Sequence, residues 1–580
     1  MSRERIEEFI LHPAFLSIPI WVAVIIILPP IFSKYAVRHL KDVFSVDVIS
    51  YFYSDLDCDG NSEKISVDLA DDERTKIIVY KNDRIVDQFN IEYQPTHLSS
   101  ILFDDYNHDN YLEIYVFTAS DDSIFLSIID PLKSGKTILS GRYVDSWQKA
   151  EDSDSNPSIR PLGTMEGGES QSDLFFVIQS GYCLKPRKLY RYIIDRDTLF
   201  KSPEAGFNIS NCIIKDLDND NMPEFIPEIQ APGNYQVEYP YTDMFSWFII
   251  FDHEMKFMFD PVKILPYPSD AYTVPVKYDG KLHLAAYFKY TGSEEIPSSL
   301  CLFDIKGNKL KEMIVDNIDK SNSRIFTADY NGNQTFFFLK NLDGEVEEYD
   351  SQLSIVKKIT ISPLGEFSPR ESMDVDGDGR KEYIFASGDT KSIVFVRDNF
   401  RDPAFYHLEE GLKAIETFHT SLYLENGSKP AIYIQFPGHG LMLRYQKNPL
   451  YYLKYPLYAS IYGSILAFIL ILSRIQSYRL RQKQETEKRI ASLQMKAIKN
   501  QIDPHFTLNI LNLIGSLYSN PKNRKKADYL FGKYARLIRQ TVISSDQIIV
   551  PLSEELDFLR NYPDLEKFRN EDNFSYSIEI

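Results

Sequence analysis

Basic residues are not in excess over most of this sequence, and this argues against one large class of function, nucleic-acid binding. The chain carries a net charge of −19 over 580 residues. Residues 474–580 contain 18 Lys and Arg against 13 Asp and Glu, so residues 1–473 carry −24. An acidic body argues against nucleic-acid binding, because the phosphate backbone repels it. The basic C-terminal part follows an apolar segment, so we expect it to face anionic lipid headgroups rather than DNA.

Cysteine is also scarce and unevenly distributed. The four cysteines are Cys58, Cys183, Cys212 and Cys301. They allow three disulfide connectivities, and the sequence does not choose among them. Residues 40–450 show neither a Ser-His-Asp arrangement nor a His cluster, so this part of the chain carries no catalytic signature. A chain of this length nevertheless needs several domains.

Charged residues are absent from two apolar stretches. No Asp, Glu, Lys or Arg occurs in Phe9–Ser33 or in Tyr455–Ser473. Each is close to the roughly 20 residues that cross a bilayer. The alternatives are a cleaved signal peptide for the first stretch and a buried core helix for the second. Basic residues from Arg474 to Arg489 mark the cytoplasmic side, so two spans leave both termini inside.

These features predict a two-pass membrane protein with a large extracytoplasmic domain. The expected order is a cytoplasmic N-terminus (1–12), a transmembrane helix (13–33), the extracytoplasmic domain (42–450), a second transmembrane helix (455–473), a signalling helix (474–499), a pair of dimerisation helices (500–548), and a connector leading into a first strand (549–580). The signalling helix can transmit a shift of the membrane segment, because it lacks Pro and Gly.

An acidic motif recurs four times in the extracytoplasmic part. Each copy has side-chain oxygens at positions 1, 3 and 5, Gly or Asn at position 6, and Glu at position 9. The copies are Asp55, Asp57, Asp59 and Glu63; Asp105, Asn107, Asp109 and Glu113; Asp216, Asp218, Asp220 and Glu224; and Asp374, Asp376, Asp378 and Glu382. Such a loop suits Ca²⁺, which takes about six to eight oxygen ligands. The alternative is that the loops are Asx-turns that hold strands together without an ion.

The spacing of these loops indicates a repeat array. Their starts are separated by 50, 111 and 158 residues, close to one, two and three units of about 50. Units of this size with several short strands predict an all-β propeller of seven or eight blades. The repeats resemble the FG-GAP/VCBS family, the repeats of integrin α-subunit propellers. We expect any calcium ion in these loops to be structural.

The segment after the second apolar stretch carries the functional signal. Lys499–Asn512 reads KNQIDPHFTLNILN. It resembles the phosphoacceptor box of LytS-type sensor histidine kinases, in which Asn-Pro-His-Phe recurs with an Asn one turn later. The resemblance implies that His505 is the phosphorylated histidine and Asn509 a helper. Asp503 stands where Asn is more usual.

The helical spacing supports this role independently of the family. One polar edge is formed by His505, Asn509, Asn512 and Ser516, and the neighbouring apolar face by Phe506, Ile510, Leu513 and Leu517. A neutral imidazole, with an unperturbed pKa of about 6.5, has a lone pair that can attack a γ-phosphoryl group. Pro504 is expected to kink the helix. The alternative is a surface histidine beside a proline kink.

A second helix is expected from Pro521 to about Ser545, and two such helices from each of two chains make a four-helix homodimer bundle. Ser553 is the expected N-cap of a connector helix. Pro563 should interrupt that helix, and Phe574–Ile580 alternates like a strand.

An ATP-binding domain would need Gly-rich segments around the phosphates. Only Gly515 and Gly532 follow Ser473, and both lie in helical patterns. We therefore expect ATP and Mg²⁺ to be bound by a domain beyond Ile580 or by another chain.

Two functions compete. The first is a sensor histidine kinase in which an extracytoplasmic ligand or calcium shifts the second span, His505 accepts a phosphoryl group, and a response regulator receives it. The second is a non-enzymatic membrane receptor or adhesion adaptor with a calcium-binding propeller and a dimerising cytoplasmic stalk. The sequence favours the first, because a stalk does not need the residues around His505.

Overall fold

A computed structural model describes residues 12–578 of the chain, except 28–31, 45–49, 70–73, 149–156, 167–171, 180–184, 236–238, 279, 294, 317, 321, 331–332, 342, 362–363, 365–366, 388–390, 410–418, 502, 546–549 and 571–573. The chain divides into two compact units. One consists of Pro30–Lys454 and the other of Met1–Pro29 with Tyr455–Ile580.

The first unit is built from antiparallel strands. In chain order they are β1 (Tyr35–Phe44), β2 (Ser50–Ser54), β3 (Glu63–Leu69), β4 (Thr75–Lys81), β5 (Arg84–Ile91), β6 (Gln94–Pro95), β7 (Ile101–Asp104), β8 (Glu113–Ala119), β9 (Ser123–Asp130), β10 (Lys136–Ser146), β11 (Ser158–Glu166), β12 (Ser172–Gln179), β13 (Arg187–Ile193), β14 (Thr198–Lys201), β15 (Asn208–Lys215), β16 (Glu224–Ala231), β17 (Phe245–Phe248), β18 (Val262–Pro266), β19 (Ser269–Tyr278), β20 (Lys281–Tyr290), β21 (Ser298–Phe303), β22 (Lys309–Val315), β23 (Arg324–Tyr330), β24 (Asn333–Leu339), β25 (Glu345–Tyr349), β26 (Ile355–Thr360), β27 (Phe367–Met373), β28 (Glu382–Ser387), β29 (Ser392–Arg397), β30 (Ala404–His407), β31 (His419–Tyr423), β32 (Ala431–Phe436) and β33 (His439–Lys447).

These strands form a β-propeller, as the repeats predict. Among the described residues, hydrogen bonds join them into seven sheets. One ten-stranded sheet joins β15–β16, β19–β22 and β23–β26, while β17 and β18 form a separate pair. The propeller has seven blades, one of the two predicted counts.

The first and last strands close the ring. β1 pairs antiparallel with β33, from Tyr35 opposite Lys447 to Phe44 opposite His439. The propeller therefore begins at Tyr35, seven positions before the predicted start at residue 42, because the closing strand comes directly after the first apolar segment. A strand from one end of the chain thus completes the sheet begun at the other.

Inner strands have continuous apolar stretches because both of their faces are covered. All six residues of β29 and all six of β32 are buried. Ile393 and Phe395 of β29 belong to one buried cluster with Ile432 and Ile434 of β32. Burying one such side chain contributes about 1.5–3 kcal/mol. The outermost strands, such as β22 with the sequence KLKEMIV, are exposed and charged, which disfavours edge-to-edge pairing with other chains.

Three of the four cysteines can be placed. Cys58 is exposed, Cys212 and Cys301 are buried, and all three are free thiols. Cys183 lies outside the described residues.

The second unit is helical. Its helices are α1 (Pro13–Ile27), α2 (Lys454–Gln501), α3 (Pro504–Tyr518), α4 (Arg524–Ser545) and α5 (Leu552–Arg569). The predicted transmembrane helix (455–473) and signalling helix (474–499) both lie in α2, which is continuous over 48 residues. In the described residues, one helical segment, Tyr451–Lys496, is long and apolar enough to cross a membrane.

The first predicted span (13–33) differs from the structure at its C-terminal end. α1 has 15 residues, which is shorter than a typical span. Residues 28–31 and the predicted cytoplasmic segment up to residue 11 lie outside the described residues. The two-pass topology therefore stays a prediction.

The C-terminal segment corrects three local predictions. Pro551, rather than Ser553, is the N-cap of α5. Pro563 lies inside that helix without ending it, because helical residues continue on both sides. Residues 574–578 form no strand, since the described residues offer them no partner strand.

Candidate functional site

The four acidic loops occupy equivalent places in four meanders. Each joins the first strand to the second, and its Glu begins the second strand opposite the last residue of the first. The pairs are Ser54–Glu63, Asp104–Glu113, Lys215–Glu224 and Met373–Glu382. The loops predicted from sequence are therefore strand connections of one common design.

The carboxylates of these loops accept hydrogen bonds from the loop backbone. The first Asp accepts from the N–H at position 6, at 2.9, 2.8, 3.1 and 2.7 Å for Asp55, Asp105, Asp216 and Asp374. The Glu accepts from the N–H at position 2, at 2.9, 3.3, 2.7 and 3.1 Å for Glu63, Glu113, Glu224 and Glu382. These contacts span five and seven residues, so each loop is closed by its own carboxylates.

Two positions of each loop lie in the left-handed backbone region. Position 6 was predicted to do so, and its φ is 87° at Gly60 and 64° at Asn110. Position 4 does the same, with φ of 52° at Cys58 and 58° at His108. Sequence reasoning missed position 4, because no common residue type marks it.

Three loops bring carboxylates together. The ligand atoms lie within 4.8 Å of one another in Asp55, Asp57 and Glu63; in Asp216, Asp218 and Glu224; and in Asp374, Asp376 and Glu382. The position-5 residues Asp59, Asp220 and Asp378 are outside these groups. In the remaining loop, position 3 is Asn107, whose amide nitrogen lies 3.3 Å from a Glu113 oxygen and donates to it. That loop presents a donor where the others present an acceptor.

Basic side chains of the protein enter three of the four loops. Lys81 Nζ contacts Asp57, lies 2.8 Å from Asp59 and 3.3 Å from Glu63. Lys133 pairs with Asp109 in the second loop. These partners were not recognised from sequence, although Lys81 and Lys133 each follow a loop aspartate by 24 positions.

Arg397 has the same role in the loop at 374–382. Its Nη2 lies 2.6 Å from Asp378 and its Nε 3.5 Å from Glu382. Its Nη1 also donates to the Tyr35 hydroxyl of the closing strand. The guanidinium is 7% exposed, so this is a buried ion pair.

The loop at 216–224 differs from the other three. Within the described residues, no Lys, Arg or His side chain forms an ion pair with Asp216, Asp218, Asp220 or Glu224. Burial raises the pKa of Glu224 to about 7, with neighbouring aspartates adding to the effect and the Leu217 N–H opposing it. This loop therefore concentrates negative charge that no basic side chain of the described residues offsets.

The segment around His505 lies at the start of a new helix rather than at a kink within one helix. α3 begins at Pro504, and Asp503 is its N-cap, with its side chain accepting from the His505 N–H at 2.9 Å. Pro is well suited to the first helical position, because its missing N–H would have no partner there. The predicted kink is therefore corrected to a break between α2 and α3.

His505 and Asn509 lie together on the exposed side of α3. The Asn509 amide nitrogen is 3.1 Å from Nδ1 and 3.3 Å from Nε2 of the imidazole. His505 is exposed and Asn509 is half-buried. A second domain can reach the imidazole in this position.

The opposite face of α3 anchors this pair. Phe506, Ile510 and Ile514 are buried against Leu530 and Leu537 of α4. Leu513, predicted for the core, is only half-buried, and Ile514 takes its place.

The connector helix also supports the phosphoacceptor helix. The Phe506 ring stacks on Tyr562 with centroids 4.7 Å apart, and Leu565 is fully buried. Lys533 of α4 pairs with Asp564. Sequence analysis missed these contacts, because they join residues more than 30 positions apart.

Comparison with known proteins identifies the C-terminal segment as one of histidine kinase type. Residues 493–574 match the family model described as Histidine kinase. Sensor histidine kinase YesM of Bacillus subtilis is 27% identical over 113 residues, which is 20% of this chain and 19% of that protein. Sensor protein LytS of Oceanobacillus iheyensis is 27% identical over 99 residues, 17% of each chain. The chain thus spans less than a fifth of each of these relatives, and the predicted resemblance is confirmed.

Solved structures resemble the propeller only distantly. The Dos1 propeller is 10% identical and aligns over 70% of this chain and 95% of its own, with a TM-score of 0.37. The exotype rhamnogalacturonan lyase YesX is 13% identical over 71% of this chain and 76% of its own, with a TM-score of 0.39.

Proposed function

We propose that this chain belongs to a sensor histidine kinase in which His505 accepts a phosphoryl group and passes it to a response-regulator aspartate. The observation that carries the proposal is an exposed imidazole beside Asn509, on a helix whose other face is buried. The resemblance of residues 493–574 to histidine kinases supports it. The adaptor function has no comparable observation in its favour.

The chemistry is an in-line transfer from ATP. An imidazole nitrogen bonds to the γ-phosphorus, the bond from that phosphorus to the bridging oxygen breaks, and ADP leaves. An Asn amide can offer either its oxygen or its nitrogen to the ring. With the Asn509 oxygen accepting from Nδ1–H, the Nε2 lone pair is free to attack. ATP and Mg²⁺ would be held by an ATP-binding domain or another chain.

Phosphorylation of membranes that contain the protein tests this proposal. Membranes are incubated with ATP labelled at the γ-phosphate, and acid-labile, base-stable label is measured. We expect His505→Ala to abolish this label, because no other group replaces the nucleophile. Asn512→Ala, an exposed change on the same helix, is the control and should keep it. Undiminished label in His505→Ala contradicts the proposal.

Dimerisation is supported by apolar residues that the single chain leaves exposed. On α3 and α4 these are Leu508, Leu511, Phe531, Val542 and Ile543. They lie outside the cluster that holds α3 to α4 and α5. A second copy would cover them in a four-helix bundle.

The two-pass arrangement is supported by contacts between α1 and α2. Trp21 Nε1 donates to the Tyr458 carbonyl at 2.9 Å, and the Tyr462 hydroxyl donates to the Ala14 carbonyl at 3.2 Å. The pairing of later residues of one helix with earlier ones of the other means that they run antiparallel. Antiparallel spans would return the chain to its starting side, in agreement with a cytoplasmic C-terminus.

We further propose that calcium binds the acidic loops, with the loop at 216–224 binding first. Asp57, Asp376 and Glu382 each have one buried oxygen without a hydrogen bond, as a cation ligand would. Lys81 and Arg397, however, already offset the charge of those two loops. Calcium in 216–224 would meet no such competitor.

A calcium titration of the purified full chain tests the order of binding. We expect calcium to raise the melting temperature, because an ion that binds only the folded state stabilises it. Asp218→Asn should remove most of this rise, whereas the exposed change Asp122→Asn should not. A melting temperature that neither calcium nor a chelator moves contradicts occupancy of these loops.

A further inference from the structure

The propeller contains a cavity of about 920 Å³, and Asp55 and Leu112 are the acidic-loop residues in its lining. Residues of the first strands of several meanders line it, including β2, β7, β11, β15 and β31. Its size is within the roughly 300–1,000 Å³ of small-molecule sites.

The cavity wall contains one guanidinium. Arg160 of β11 is exposed although it lies within the cavity lining. In the described part of the chain, no acceptor lies within hydrogen-bond distance of this side chain. Its charge acts on the carboxylate of Glu228 together with that of Arg324. The lining also contains the carboxylate of Asp55, so the Arg160 guanidinium lies in a cavity whose wall carries both signs of charge.

The carboxylate of Glu228 is held mainly by neutral donors. Ser210 Oγ lies 3.4 Å from one of its oxygens, and the Asn211 amide nitrogen lies 3.5 Å from the other. No ion pair joins Glu228 directly to Arg160 within the described residues. The Arg160 guanidinium therefore keeps its planar set of N–H donors for a ligand.

Besides Asp55 and His419, the remaining lining is part hydroxyl and amide, part apolar. Ser99, Ser158 and Gln179 offer donors and acceptors, while Leu102 and Phe103 offer half-buried apolar surface. Serine and glutamine side chains match alcohols, because both can donate and accept. The apolar surface suits the C–H groups of a compact carbon skeleton.

We propose that this cavity is the ligand site of the sensor and that it takes a small carboxylate carrying several hydroxyl groups. This rests on the sensor function proposed above. Arg160 would bind the carboxylate through two parallel hydrogen bonds, and the serines and Gln179 would bind the hydroxyls. The acidic surroundings disfavour polyanions, while local positive charge at Arg160 favours a single carboxylate.

Calorimetric titration of the purified full chain tests the site. The probes are glucuronate, gluconate and glycerate, with glucose as the neutral control and inorganic phosphate as the rival anion. At least one carboxylate should bind at least tenfold more tightly than glucose and phosphate. Arg160→Ala should weaken that binding at least tenfold and Arg160→Lys less. The exposed change Arg401→Ala should leave it unchanged.

Each remaining outcome overturns the proposal in a distinct way. If glucose binds as tightly as the carboxylates, the cavity does not recognise a carboxylate. If phosphate binds as tightly, it does not recognise the hydroxyl groups. If Arg160→Ala leaves the affinity unchanged, Arg160 is not the residue that binds the carboxylate. No binding by any of the three carboxylates removes the site. Labelling of His505 is measured in parallel. Carboxylate binding without His505 labelling contradicts the kinase function alone, and labelling without binding contradicts the cavity assignment alone.

Discussion

The charged groups of the propeller and the histidine of the helical unit differ in burial and in how far their hydrogen-bonding groups are used. Arg397 lies buried among Asp376, Asp378 and Glu382, so its donors are used inside the protein. His505 is exposed, and the side chain of Asn509 lies within hydrogen-bond distance of its imidazole. A charge that its surroundings satisfy stabilises a fold, whereas a polar group left open to solvent can react. The same chain therefore combines a buried, structural use of ionisable residues with the chemical use proposed for His505.

The prediction with the largest expected effect concerns the buried guanidinium of Arg397. Arg397→Ala leaves Asp376 and Glu382 uncompensated, and we expect the free energy of unfolding to fall by about 3–5 kcal/mol without calcium. Denaturant unfolding of the full chain with a chelator measures it. Arg142→Ala, which removes a more exposed pair with Asp197, should cost about 1 kcal/mol or less. If Arg397→Ala lowers the free energy of unfolding by less than about 1 kcal/mol, the loop does not need the Arg397 guanidinium for stability.

Two histidines provide the next test. Burial lowers the pKa of His419 to about 4, with the Tyr51 carbonyl opposing the shift. The unfolded chain then binds more protons between pH about 4 and 6.5, so stability rises with pH across that window. Acidification from pH 6.5 to 4 should remove about 3 kcal/mol. His419→Phe, measured by urea unfolding at several pH values, should flatten this dependence, whereas His505→Ala should not.

The smallest expected effect concerns the start of α3. Asp503→Ala removes the N-cap that accepts from the His505 N–H, and about 1 kcal/mol of helix stability should be lost. Asp503→Asn keeps an equivalent cap and is the matched control. Circular dichroism during thermal unfolding measures both variants. Equal loss in the two would mean that charge, rather than the capping hydrogen bond, holds the helix start.

Much of this architecture could be predicted, because its signals are local. The acidic loops were found by spacing alone, since each loop closes on itself within nine residues. His505 and Asn509 were found together because one helical turn separates them. The propeller followed from the regular distance between the loops.

What could not be predicted depends on contacts distant in sequence. Lys81 and Arg397 reach the loops from later strands, and no local pattern marks them as partners. Tyr562 meets Phe506 only after three helices have packed. The kink expected at Pro504 was wrong for a local reason, because a proline preceded by a capping Asp starts a helix as readily as it bends one.

Ring closure by β1 and β33 has a consequence for biosynthesis. Asp42 and His439 meet across this pair although they are 397 positions apart in the chain. Strand β1 is made first, yet its partner is made almost last, so its edge stays unpaired while the intervening meanders are produced. An unpaired edge strand invites association with other chains. Nascent protein should therefore depend on a holding factor until β33 emerges, and truncation before residue 439 should yield aggregates rather than a smaller propeller.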